Sequence, residues 1–319
     1  MRLIPTGARN LTHDEHHRRQ TGIGLAYGIG AYTAWGLFPM YFKLLGDTPP
    51  LVVLAHRVVW SVLFLILIIW VTGQSKAIKS VVRNRRTMLY LSASTCMIAV
   101  NWFVFIWAVM HKQVMSAALG YYINPLVVGA LGVVVLGERL RPMQVVAAVL
   151  AIIGVSIMTI KTGQVPVVAL LLAVSFSFYG LLRKKAAVAP VPGLFVETLL
   201  LLIPAIVMLG IDITTRDAYT GRMWLILSAS GILTATPLIW FGAATQRLRL
   251  ITIGLLQYIG PTLQFALAVL FFGETFQPHH ALVFGCIWTA VVIYAGDSIW
   301  RMYSQRERSN EIGTETIPD

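Results

Sequence analysis

A chain of 319 residues that is 57% AVILMFWYC and only 12% charged, with a mean hydropathy of +0.75, is not an ordinary soluble globule, in which about a quarter of the residues carry charge. Its net charge of +12 does not mark a nucleic-acid binder, because the basic residues sit between apolar stretches and no recognition module is present. Cys96 and Cys286 both fall inside apolar stretches, which argues against a disulfide framework.

The first 21 residues are polar, with His13, His16, His17, Arg18 and Arg19, and lack the apolar core of a signal peptide. They read as a mobile cytoplasmic tail, residues 1–21, rather than a metal site. Crossing the hydrocarbon takes roughly 20 apolar residues. Ten such stretches follow: 22–45, 51–72, 88–110, 114–136, 142–160, 165–183, 193–211, 223–246, 251–272 and 280–299. A charged tail, 301–319, closes the chain. The expected fold is an all-α integral membrane protein of ten transmembrane helices. With the N-terminus inside, the inner segments hold nineteen Lys and Arg and the outer segments four, Lys112, Lys161, Arg216 and Arg222. That excess predicts that both termini are cytoplasmic and that the protein lies in the inner or plasma membrane.

One stretch occurs twice. Residues 116–142, SAALGYYINPLVVGALGVVVLGERLRP, align without a gap on residues 252–278, TIGLLQYIGPTLQFALAVLFFGETFQP, and ten of the 27 positions are identical. Shared apolar residues mean little here, but Tyr-Ile-X-Pro followed at the same distance by Gly-Glu-X-X-X-Pro is specific. AYTAWG at 31–36 also echoes SFSFYG at 175–180. The chain therefore divides into two halves, 22–160 and 165–300. Five spans per half is an odd number, so the second copy inserts upside down, the inverted-repeat plan of secondary transporters.

These strings resemble the EamA family of the drug/metabolite transporter superfamily, and within it the RarD subgroup. The resemblance runs from about Gly24 to Trp300. It rests on AYTAWGLFPMYFKLL (31–45), AHRVVWS (55–61), NWFVFIWAV (101–109), ALGYYINPLVVGALGVVVLGERL (118–140), FSFYGLLRKK (176–185), FVETL (195–199) and RLRLITIGLLQYIGPTLQF (247–265). It implies ten spans, two five-helix EamA-type repeats, an inner-membrane location and a carrier role. It does not supply a substrate.

Ionisable groups at membrane depth are costly and usually face a cavity or a partner. Arg57, with His56 beside it, should lie on the order of 10 Å below the outer surface, and Glu197 on the order of 6 Å from the inner one. The resulting gap, roughly 14 Å in a core about 30 Å thick, argues against an Arg57–Glu197 salt bridge. Two readings are open. In one, Arg57 holds an anionic group such as a carboxylate, and His56 or Glu197 takes part in proton coupling. In the other, the charges snorkel or pair with backbone. Pro125 and Pro261, near the centres of spans 4 and 9, each free the carbonyl four residues earlier, at Tyr121 and Gln257. They are candidate hinges or static kinks. Asn101, Trp102, Tyr121, Tyr122, Asn124, Tyr179, Gln257 and Tyr258 are candidate lining of an amphipathic cavity, or helix–helix glue. Glu138 and Glu274 follow helix-ending glycines and read as structural loop residues.

No GxxxxGK[ST], no HExxH, no metal spacing among the histidines and no serine–histidine–acid set appear. The expectation is a non-enzymatic secondary transporter without cofactor. It would move small organic or drug-like solutes by alternating access, with a small-molecule substrate, the lipid bilayer and protons as partners, as monomer or homodimer. Facilitated metabolite uptake, or a receptor or structural protein without transport, are the alternatives.

Overall fold

In a computed structural model the chain is helical throughout, with no strand among the described residues. The structure describes residues 7–136, 142–215, 219–245, 247–248, 252–253 and 256–314. Gly137 and Glu138 lie outside them. The helices are α1 (Gly7–Lys43), α2 (Pro50–Thr72), α3 (Ser75–Arg83), α4 (Arg85–Met110), α5 (Val114–Leu136) and α6 (Pro142–Thr162). After these come α7 (Val167–Ala186), α8 (Pro190–Thr215), α9 (Gly221–Thr245), α10 (Ile259–Leu270) and α11 (Pro278–Thr314). Six helices, α2, α4, α6, α7, α8 and α9, are long and apolar enough to cross a membrane, and shorter apolar helical stretches cover 114–128, 259–270 and 278–294. This is an all-α, multi-pass membrane protein.

Local signals place the helix ends. Pro50 and Pro190 open α2 and α8, where a missing N–H costs nothing. Gly73 closes α2 in the left-handed conformation at φ 67° and returns its N–H to the Ile69 carbonyl. The Asn84 side chain accepts the Thr87 amide at 3.1 Å to start α4. Several features differ from the sequence pattern. α1 begins at Gly7 and α11 runs to Thr314, so both helices extend into the expected tails. A short amphipathic helix, α3, joins spans 2 and 3 and packs Ile78 and Val81 toward Leu91, Ala186 and Val196. Span 9 is interrupted, with Gln257 and Tyr258 forming a turn before α10.

The helices pack in pairs: α1 along α9 and α10, α4 and α5 along α7, α2 between α8 and α9, α5 against α10, and α6 against α11. Close approach is set by small residues. A Cβ on Gly120 would sit 2.6 Å from the Ala169 carbonyl oxygen, and one on Gly231 would meet the Trp60 backbone at 2.3 Å. Either substitution would push two helices apart. The outward faces stay apolar. Only 17% of the most apolar window of α6 is buried, and Trp70 and Ile203 are among the most exposed large side chains. In water such a surface would aggregate, whereas lipid accepts it.

Glu274, in the loop between α10 and α11, caps the other half of the molecule. Its two carboxylate oxygens accept the Val114 and Met115 amides at 2.5 and 3.0 Å, at the first turn of α5. Burial pushes its carboxyl above the ordinary value, against the pull of those two amides.

Candidate functional site: a buried arginine at a closed aromatic cavity

Arg57 is the eighth residue of α2 and is 3% exposed. Its Nε donates to Thr234 Oγ1 of α9 at 3.0 Å. The guanidinium lies over the Trp102 ring at 4.8 Å, with Phe42 and Phe38 at 5.4 and 5.7 Å. Three aromatic faces within about 6 Å attract a desolvated cation, each by roughly 1–2 kcal/mol. They do not replace hydrogen bonds, and Arg57 Nη1 is buried without a partner. Among the described residues no carboxylate comes within 4 Å of it. Nothing on hand therefore offsets its desolvation in full.

That guanidinium forms part of the wall of a cavity of about 90 Å³. α1 contributes Tyr32, Trp35 and Phe38, and α4 contributes Ile98, Asn101, Trp102 and Phe105. Tyr121 of α5, Phe176 of α7 and Thr234 and Leu238 of α9 add to it, and the interrupted span supplies Gln257, Gly260, Pro261 and Gln264. No acidic residue lines it. Gln264 donates to the Trp35 carbonyl at 3.3 Å, but its Oε1 is buried and unpartnered. The cavity thus presents one free charged donor and one free acceptor within an aromatic box. Its volume suits about three waters, well short of the roughly 300–1,000 Å³ that encloses a drug-sized solute.

A polar network holds one wall in register. Tyr121 donates to Asn101 Oδ1 at 3.1 Å, and Asn101 Nδ2 reaches the Leu172 carbonyl and Ser175 Oγ, both at 3.1 Å. Gln257 Nε2 donates to Asn124 Oδ1 at 2.9 Å, and Asn124 Nδ2 donates to the Ala173 carbonyl and Ser177 Oγ. These amides satisfy each other across α4, α5, α7 and the turn at Gln257, so part of the expected lining is helix-to-helix glue and lies behind the surface. The two proline positions differ. α5 stays helical through Pro125, while the chain turns at Gln257–Tyr258 just ahead of Pro261, which has no amide to offer the Gln257 carbonyl.

The structure brings Arg57, Asn101, Trp102, Tyr121, Gln257 and Pro261 to one cavity and puts the other candidates elsewhere. Tyr122 and Tyr258 stack on each other at 6.2 Å, and the Tyr122 hydroxyl bonds Thr262 Oγ1 at 2.7 Å. His56 borders a separate cavity of about 80 Å³ with Asp212, Tyr219 and Trp224, its ring edge-on to the last two. Glu197 and Tyr179 sit together on another side of α7 and α8. Glu197 pairs with Arg183, Nε to Oε1 3.8 Å, and not with Arg57.

Comparison with known proteins fits this architecture. Residues 22–160 match the model of the EamA-like transporter family. An uncharacterized transporter of Vibrio cholerae is 44% identical over 280 residues, 86% of this chain and 93% of that protein. Protein RarD of Escherichia coli K12 is 42% identical over 295 residues, 91% of this chain and 99% of that protein. The chain belongs to the EamA-like transporter family, among its RarD-type members. A solved crystal structure shares the fold at 20% identity and a TM-score of 0.58, over 85% of this chain and 96% of that one. The RarD-type chain is thus a membrane transporter, and the cavity at Arg57 is the place in it where a solute can meet a free charge.

Several residues of this RarD-type site were not singled out from the sequence: Tyr32, Trp35, Phe38, Phe105, Phe176 and Thr234. For two of them a signal existed, because the AYTAWG and SFSFYG echoes place Tyr32 and Phe176 at matching positions, and both reach the cavity. Arg183 was only one more basic residue at a helix end.

Proposed function

We propose that this protein is a secondary transporter of the cytoplasmic membrane that exports small organic solutes carrying a carboxylate or similar anion. It works by alternating access between two inverted five-helix repeats, α1–α6 and α7–α11, with both termini inside. The observation that carries the solute class is Arg57: a nearly buried guanidinium, without a carboxylate partner, with Nη1 free beside the cavity. An anion entering there supplies the missing counter-charge and accepts the free N–H. The aromatic walls favour an apolar, flat body, and the free Gln264 Oε1 accepts a donor from the solute.

The pairing of helices supports the inverted-repeat reading. Exchange α1, α2, α4, α5 and α6 for α7, α8, α9, α10 and α11, and the principal pairs map onto one another. α1 on α9 becomes α7 on α4, α1 on α10 becomes α7 on α5, and α2 on α9 becomes α8 on α4. The pairs α2–α8, α5–α10 and α6–α11 map onto themselves. The cavity straddles the exchange, with Tyr32 matching Phe176 and Tyr121 matching Gln257. A cavity of about 90 Å³ closed by these residues is an occluded arrangement. Admitting a solute requires the walls to part, and the turn at Gln257–Tyr258 before Pro261 is where span 9 bends with least disruption. Pro125, inside a continuous helix, is the stiffer counterpart.

The test is a screen of a small-molecule bacterial extract in proteoliposomes, read by mass spectrometry, with and without a proton gradient. The proposal expects saturable movement of anionic solutes through the wild type and its loss in Arg57→Gln. Movement of neutral or cationic solutes only, or full movement through Arg57→Gln, contradicts it.

A further inference from the structure

Arg57 has a counterpart. Glu197 is the eighth residue of α8 as Arg57 is of α2, 140 residues apart, and α8 starts at Pro190 where α2 starts at Pro50. Arg57 meets the hydroxyl of Thr234 on α9, and Glu197 meets the hydroxyl of Ser94 on α4 at 2.5 Å; Ser94 and Thr234 are also 140 residues apart. The exchange of halves that maps α2–α9 onto α8–α4 maps one charged contact onto the other, with the sign of the charge reversed.

The hydrogen bonds at Glu197 are arranged for a proton. Ser94 has one hydroxyl hydrogen and two acceptors in reach, Glu197 Oε1 at 2.5 Å and the Leu91 carbonyl at 2.9 Å. With Glu197 ionised, Ser94 donates to it. With Glu197 protonated, the carboxyl donates to Ser94 Oγ, and Ser94 donates to Leu91. Either state leaves the hydroxyl satisfied. The carboxyl is 1% exposed, and its Oε2 makes no hydrogen bond. Arg183 stands at 3.8 Å, outside hydrogen-bond distance, with its own Nη1 buried and unpartnered. From α4 the carboxyl faces Ser94, and from α7 it faces Tyr179 and Arg183. The other helices against α8, namely α2, α3 and α9, bring no cation within 4 Å of it among the described residues.

We infer that Glu197 is a reversible proton-binding site that couples solute movement at Arg57 to the proton gradient. Its carboxylate takes one proton at an oxygen, forms an O–H bond, and returns the same proton on the opposite side of the cycle. Arg183 keeps its charge throughout. The link to the cavity is short: Ser94 lies on α4, one and two turns from the cavity residues Ile98, Asn101 and Trp102, and Tyr179 of α7 contacts the cavity residue Phe176 at 5.9 Å. Neutralising Glu197 weakens its hold on Arg183 and loosens α8 from α7, two helices whose neighbours wall the cavity. This rests on the transport reading above, but the site itself is testable without a solute.

The experiment is infrared difference spectroscopy of the full-length protein in liposomes stepped between neutral and acid pH. The expected result is a protonated-carboxyl C=O band that grows on acidification, is absent in Glu197→Gln, and shifts in frequency in Ser94→Ala, which removes a hydrogen bond but no charge. A spectrum unchanged in Glu197→Gln overturns the proposal. Should Glu197→Gln fail to fold, an unshifted band in Ser94→Ala overturns it. A second arm loads proteoliposomes with pyranine, adds the small-molecule extract, and subtracts protein-free vesicles. Proton movement in the wild type and its loss in Glu197→Gln, while solute exchange measured by mass spectrometry continues, support coupling. Undiminished proton movement in Glu197→Gln refutes it. A Glu197 band in a protein that moves no solute sinks the transport reading and leaves the proton site standing.

Discussion

Arg57 and Glu197 occupy matching positions on two helices that pack together, and each touches a hydroxyl from a matching position on the other half. Their surroundings nevertheless differ. Arg57 opens onto a cavity, with a free N–H and aromatic faces around it. Glu197 has no place in that cavity and is packed among Ser94, Tyr179 and Arg183. The duplicated scaffold thus repeats the position and the hydroxyl but not the chemistry. One copy is built to receive an anion from outside the protein, and the other to hold a charge whose partners are already present.

The comparison breaks most readily at the two charges. Arg57→Gln keeps much of the side-chain volume and should lower solute flux by at least about 100-fold, equivalent to about 2.7 kcal/mol, in proteoliposome exchange. Glu197→Gln should leave equilibrium exchange within about threefold of wild type, roughly 0.7 kcal/mol, while abolishing accumulation driven by a proton gradient. Equal loss of exchange in both variants would show that the two sites do not differ in role. Next in size is Trp102. Trp102→Ala removes the nearest face under the guanidinium and should raise the half-saturating solute concentration about tenfold, in line with roughly 1–2 kcal/mol for a desolvated cation–π contact. Trp102→Phe should recover most of it.

The hydroxyls sharpen the contrast further. Thr234→Val strands Arg57 Nε without its acceptor and should weaken solute binding several-fold, about 1–1.5 kcal/mol. Ser94→Ala should leave solute affinity unchanged and move the pH dependence of driven transport instead. The smallest effect belongs to Glu274, which holds the α5 N-terminus and has no part in either site. Its folded carboxyl is raised above the unfolded value by burial. The stability this contributes is therefore complete below about pH 4.3 and is lost as pH rises through the raised value. Glu274→Gln should flatten that limb, a change of about 2 °C in the pH dependence of Tm.

The apolar stretches, the repeated strings and the two buried charges were all legible in the amino-acid order, because lipid demands long apolar runs and makes each intramembrane charge conspicuous. The separation of Arg57 from Glu197 followed from their depths. Other features were not legible. Arg183 looked like any basic residue at a helix end, yet it reaches Glu197, because an arginine side chain can extend several ångströms from its backbone position. Asn124 and Tyr122 carry the same chemistry as Asn101 and Tyr121, but the helix turns them to other neighbours, and periodicity alone does not say which face meets the cavity. His56 follows the same rule: adjacent to Arg57 in sequence, it points about 100° away around the helix and into a different cavity. The matching of positions 57 with 197 and 94 with 234 becomes meaningful only once α2 and α8 are seen to start at equivalent prolines.

The most direct test is a side-by-side measurement of anionic-solute exchange by wild type, Arg57→Gln and Glu197→Gln in the same proteoliposomes without a pH gradient. Saturable exchange in the wild type and Glu197→Gln, with none in Arg57→Gln, is the result expected if the cavity at Arg57 is the solute site. Exchange through Arg57→Gln at the wild-type rate would contradict it.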